Sequence, residues 1–228
     1  MNFLADSINQ ALLLILHLDV EILDVVATSL FTAVSATLLA ALAGIPGGAL
    51  VALGRFPGRR LVVILLNTLM ALPTVVVGLV VYGFLSRQGP LGHFGLLFTP
   101  AAMIIGQALL ATPIVANGTL AAVNGADPRI LTTTRTLGAD LLPGALQLLR
   151  EIRFGVVAAV VAGFGRVIAE VGVAMMLGGN IRGTTRTMTT AIALETSKGE
   201  FAFGLALGLV LLGVALLVNL ALGLLQHR

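Results

Sequence analysis

The chain of 228 residues contains no cysteine and no tryptophan, one tyrosine, one lysine (Lys198), and only 10% charged residues. Without cysteine there are no disulfides, no thiolate nucleophile and no thiolate zinc site. A water-facing globular surface carries roughly 25% charged residues, so the shortage excludes a soluble enzyme. The three histidines, His17, His93 and His227, fall in separate segments, and no metal-ligand spacing links them. No Gly-x-x-x-x-Gly-Lys-Ser/Thr phosphate loop occurs, so the chain is not an ATPase, and no catalytic residue is expected. The net charge is +3 with basic residues scattered in short segments, which excludes a nucleic-acid-binding face. The first 18 residues lack the basic start of a secretory signal, and Asp6 precedes a short apolar run, 11–16, that suits an interfacial amphipathic helix.

What is present is apolar length. Hydrophobic residues make up 58% of the chain, and the mean hydropathy is +1.07. Residues 25–54, 61–86, 88–126 and 201–227 contain no Asp, Glu, Lys or Arg, and 154–180 is interrupted only by Arg166 and Glu170. A membrane helix needs about 20 apolar residues. The reading is an all-α membrane protein, one integral-membrane domain over 1–228, with five spans near 25–54, 61–86, 98–124, 154–180 and 201–226. An external N-terminus puts Arg55, Arg59, Arg60, Arg129, Arg135, Arg150, Arg153 and Arg228 inside, and Arg87, Arg182, Arg186 and Lys198 outside. Cytoplasmic loops favour Arg and Lys, so the expected orientation is N-terminus out and C-terminus in.

Three spans carry helix breakers: Gly44-Ile45-Pro46-Gly47-Gly48, Pro73 and Pro113. Each proline frees a carbonyl that hydrocarbon does not tolerate unless protein or a watery cavity satisfies it. Central breaks lining a polar pathway beside Thr74 and Thr112 account for these breakers, and so does the ordinary use of Pro and Gly in membrane helices. Arg166 and Glu170 stand four apart on one helix face and can pair. Charges at that depth turn to the bundle interior. They fit a structural pair that fixes helix rotation, or an anion path in which Arg166 attracts and Glu170 limits residence.

The connector 125–153 is too long and too charged for a simple turn. Asp127 and Pro128 suit a helix start, Gly138 a stop, and Asp140 a second start. A cytoplasmic helix–glycine–helix hairpin is predicted. The outer segment 182–200 carries Arg182, Arg186 and Lys198 among threonines and serines; a docking surface, an outer gate for a tetrahedral oxyanion and a solvated loop all account for it.

Thr133-Thr134-Arg135-Thr136-Leu137-Gly138-Ala139 resembles the cytoplasmic coupling motif of ABC-importer permeases, with Thr132-Thr133-Thr134 where that pattern has Glu-Ala-Ala. Ala162-Gly163-Phe164-Gly165-Arg166, Glu170-Val171-Gly172-Val173, Gly178-Gly179-Asn180-Ile181-Arg182-Gly183 and Asn67-Thr68-Leu69-Met70-Ala71-Leu72-Pro73 resemble the permeases of tungstate importers, a group related to those for molybdate and sulfate. The resemblance implies a homodimer in a bacterial or archaeal inner membrane. It implies two cytoplasmic ATPase subunits that bind the ATP, and an external binding protein that delivers the anion. It assigns Arg135, Thr136, Leu137, Gly138, Ala139 and Asp140 to ATPase coupling. The substrate pathway then falls to Thr74, Thr112, Arg166 and Glu170. A molybdate or sulfate permease, and an ion-coupled secondary anion transporter, are the alternatives.

Overall fold

The computed structural model describes residues 3–17, 19–136 and 140–226, and among them every regular element is helical. In chain order the α-helices are α1 (Phe3–Leu16), α2 (Val20–Leu53), α3 (Arg59–Met70), α4 (Thr74–Leu85), α5 (Pro100–Asn124), α6 (Pro128–Thr136), α7 (Leu141–Glu151), α8 (Arg153–Ile168), α9 (Gly172–Gly178), α10 (Met188–Lys198) and α11 (Phe201–Gln226), with one 3-10 turn, Gly92–Phe94, between α4 and α5. Three of them, α2, α5 and α11, are long and apolar enough to cross a membrane unbroken. The pairs α3–α4 and α8–α9 bend by 99° and 61° at short breaks, and counting each pair as one span brings the number to five.

Only one of the three breaker positions interrupts a helix. Pro73 stands between α3 and α4, whereas α2 runs through Pro46 and α5 through Pro113. The difference lies in what surrounds each proline. The backbones of α2 and α5 press together so closely that a Cβ on Gly48 would stand 2.2 Å from the Ala116 carbonyl oxygen. Thr112 donates its hydroxyl to the Ala108 carbonyl at 2.7 Å, one residue before Leu109, whose carbonyl has no N–H partner at Pro113. A neighbouring helix packed this closely sustains a proline-bearing span. The break at 169–171 has no proline, and side chains create it, as described below.

α5 is the central element. Half of its most apolar window is buried, against 17% for α11, whose outward leucines suit lipid. The main apolar cluster draws Ala33, Ala36, Ala111, Val115, Val167, Met188 and Leu207 from five helices. A second cluster joins α4, α5 and α9 through Val81, Leu85, Leu110, Val173 and Leu177. α1 begins well before the apolar run seen in the sequence and packs on α11, with Ala11 fully buried and Leu12, Leu13 and Leu16 exposed.

The molecule has two ends. The first face carries the start of α2, the 86–99 connector and the 179–187 connector; the second carries 54–58, α6 and α7. At the second face Arg59 reaches back to donate to the Val51 carbonyl at 2.7 Å, closing the end of α2. The hairpin forms two helices, with Pro128 opening α6 and the Asp127 carboxylate accepting from the Arg129 N–H at 2.9 Å. Asp140 stands at the N-cap of α7 but makes no side-chain cap bond; its carbonyl accepts from the Gly144 N–H. Leu137, Gly138 and Ala139 lie outside the described residues, as does the side chain of Arg135.

Segment 182–200 is not a solvated loop. It holds α10, and Thr185, Thr187, Thr189 and Thr190 are buried. A reciprocal cap between Thr187 and Thr190 consumes the hydroxyls that the composition left open.

Candidate functional site

The breaks in the two bent spans meet. Gly172, the first residue of α9, faces Thr74, the first residue of α4: a Cβ on Gly172 would stand 2.9 Å from Thr74 Oγ1 and 3.3 Å from Glu170 Oε1. Only glycine fits between them without displacing a polar group. From this junction α4 and α9 run together towards the first face, where Gly78 admits Met176 and the second apolar cluster fills the contact.

Glu170 organises the junction. Its side chain is 2% exposed, and Oε2 accepts from Arg166 Nη1 at 2.7 Å. Oε1 accepts from the Val173 N–H at 3.1 Å, which caps α9, and the Glu170 carbonyl accepts the Thr189 hydroxyl at 2.7 Å. The side chain thus competes for the backbone donors that a continuous helix would use, and α10 supplies a donor for the freed carbonyl. Arg166 keeps 39% of its side chain exposed, so the cation stands at the edge of the bundle beside an acid already engaged. The structure therefore brings Thr74, Arg166 and Glu170 into one constellation. Thr112 stands in other surroundings, on an apolar cleft with Leu69, Val76, Val77 and Leu109 between α3–α4 and α5.

Two polar features escaped the sequence reading. Thr189 is separated from Glu170 by 19 positions, and nothing in its own neighbourhood points to that bond. Asn117 on α5 donates its amide to Asn67 Oδ1 and lies 3.0 Å from Met70 Sδ, tying α5 to α3. An asparagine in a charge-free run is the signal that could have found this pair, since interhelical amide bonds join spans in lipid.

At the first face the cations are mostly neutralised. Glu21 on α2 pairs with Arg182 and Arg186, and Glu195 on α10 pairs with Arg186 and Lys198. The network fastens α2 to the 179–187 connector and to α10. Phe98 and Asn180 both adopt positive φ, 62° and 53°, and Phe98 donates its N–H to the Leu177 carbonyl at 2.8 Å. The ring of Phe98 fills the space that a side chain on Gly179 would take, at 2.8 Å from its Cβ position. Among the described residues no group of three His, Cys, Asp or Glu could hold a metal ion.

Comparison with known proteins extends these observations. The family model described as binding-protein-dependent transport system inner membrane component matches residues 44–228. The tungstate uptake system permease protein TupB of Peptoclostridium acidaminophilum is 39% identical over all of both chains. Its counterpart of the same name in Campylobacter jejuni is 39% identical over 96% of this chain and 92% of its own. A probable anion ABC transporter permease protein of Haloferax volcanii is 42% identical over 89% of each chain.

Proposed function

Because the chain belongs to the family of inner membrane components of binding-protein-dependent transport systems, we propose that it is the membrane subunit of an ATP-driven oxyanion importer whose substrate is tungstate. As a transport component it is not an enzyme. The observation that carries the substrate reading is similarity over 96–100% of the chain to two permeases named for tungstate uptake. Molybdate and sulfate are the competing substrates, because permeases named for molybdenum and for sulfate transport match at 26–30% identity.

In this reading the chain is one integral-membrane domain with five spans, working as a homodimer. The second face, rich in arginine, is cytoplasmic, and the N-terminus is outside. Two ATPase subunits dock on the α6–α7 hairpins through Arg135 to Asp140, and an external binding protein delivers the anion to the first face. Thr74, Thr112 and Arg166 contribute to the substrate pathway, with Glu170 holding the Arg166 guanidinium in place. The half-exposed Arg166 offers a planar fork to a passing dianion, and the Glu170 charge keeps the site weak enough to release it. ATP binding draws the hairpins together and swings α4 and α9 about the breaks at 71–73 and 169–171.

The test is copurification. A tagged chain expressed with its neighbouring genes in mild detergent retains a vanadate-sensitive ATPase, and Gly138→Trp, once shown to insert normally, loses it. A stable chain that carries no ATPase and still moves anions in liposomes would be a secondary transporter, against this reading.

A further inference from the structure

The first face carries Arg87, Arg182, Arg186 and Lys198, and the last three are paired with Glu21 or Glu195. Arg87 is exposed and makes no ion pair among the described residues. It lines a cleft of about 550 Å³ together with Tyr82, Ser86, Gln88 and Phe98, and among the described residues no acidic one lines that cleft. A second cleft of about 460 Å³ differs: Arg182 and Arg186 line it too, but Asp19, Glu21 and Asp24 stand in its wall and outnumber them. The arginines of the second cleft are matched by acids, so a dianion that reaches this face is drawn to the first, where the Arg87 charge is uncompensated among the described residues.

We propose that the cleft beside Arg87 is an external capture site for a tetrahedral oxyanion, with the Arg87 guanidinium as its charged ligand and Gln88 and Tyr82 as neutral donors. The proposal rests on the import reading above and adds a second anion site, apart from the Arg166 junction. Arginine suits it, because a planar fork makes two charge-assisted bonds to adjacent oxygens. The loop is preformed: Gly92 packs so tightly that a Cβ would stand 2.2 Å from the Ser86 carbonyl oxygen, and the Leu91 N–H donates to the Phe84 carbonyl at 3.0 Å. A rigid loop pays little ordering entropy on binding. Phe98 walls the cleft, meets Tyr82 edge-on with ring centroids 6.5 Å apart, and bonds to Leu177 near the end of α9. Occupancy of the cleft thereby reaches one of the helices that the transport cycle must move.

Ser86 supplies a reporter, since its hydroxyl already donates to the Gly83 carbonyl and is not needed by the anion. The chain has no cysteine, so Ser86→Cys introduces its one thiol. The full complex in liposomes is treated with anionic and with neutral methanethiosulfonates, with and without tungstate or sulfate. The anionic reagent's advantage over the neutral one falls about tenfold when Arg87→Gln is added. Tungstate slows the neutral reagent with Arg87 present and has no effect in Arg87→Gln. If Ser86→Cys disturbs the loop, import by otherwise unchanged chains decides: Arg87→Gln slows it severalfold, Arg87→Lys, which keeps the charge but not the fork, restores only part of it, and ATPase copurification is equal in all. A neutral-reagent rate indifferent to tungstate, in a complex that imports normally, overturns the capture site and leaves the import reading standing. Protection that appears only with anion-free binding protein overturns it in favour of a protein docking surface. Absence of oxyanion import by the unaltered complex removes the import reading, and the capture site with it.

Discussion

Glu170 engages both carboxylate oxygens within its own turn, one with Arg166 and one with the Val173 N–H. Removing Arg166 strands a carboxylate that is 2% exposed, so Arg166→Ala lowers the yield of folded protein in detergent. The loss is smaller than the ~3–5 kcal/mol of breaking a fully buried pair, because Arg166 is partly open. Arg166→Met with Glu170→Gln recovers most of it. Normal folding of Arg166→Ala with altered anion preference would instead make Arg166 chiefly a substrate ligand. Thr189→Val removes the donor to the Glu170 carbonyl and costs about 0.6–1.7 kcal/mol, measurable by denaturant titration of the reconstituted chain. Spacing alone made the Arg166–Glu170 pair legible, since helix geometry brings positions four apart together. The Thr189 bond was not legible, because only the packing of α10 across the break creates it.

The bent spans define the moving parts. α4 and α9 share an apolar cluster and meet from the Thr74–Gly172 junction towards the first face, so they should travel as one unit. A Cβ at Gly78 would lie 3.4 Å from Met176 Cβ, close to the spacing a disulfide needs. Gly78→Cys with Met176→Cys therefore oxidises readily, and the cross-linked chain keeps most of its transport. Loss of transport on oxidation, restored by reduction, would mean that the two helices slide past each other. Gly172→Val forces Thr74 and Glu170 apart and costs about 1–3 kcal/mol by overpacking, read as a lower unfolding midpoint. The sequence made the Pro73 break readable and overread Pro46 and Pro113. A proline states which bond is missing, but not whether an adjoining helix holds the chain straight. The 169–171 break had no such marker, because a glutamate and a distant threonine produce it.

At the scale of the whole chain, the long apolar runs made the helical class and the candidate spans visible, because lipid leaves the backbone few alternatives. The hairpin at the second face was legible from Asp127 and Pro128, whereas the buried threonine knot before α10 was misread as polar surface. On α7, Leu142 and Leu146 are 71% and 50% exposed on a segment that composition marks as aqueous, while Leu148 is buried. Leu142→Glu with Leu146→Glu, just after residues 135–140 in the chain, should leave the fold intact and weaken ATPase retention during purification; unchanged retention would confine the docking surface to 135–140.

The most direct test of the central claim is uptake by the complete complex in proteoliposomes supplied with its binding protein, with ATP enclosed or omitted. Labelled tungstate should accumulate only with ATP and binding protein, and unlabelled tungstate should compete better than molybdate or sulfate. Accumulation that ignores ATP, or transport of another solute with no response to oxyanions, would contradict the account.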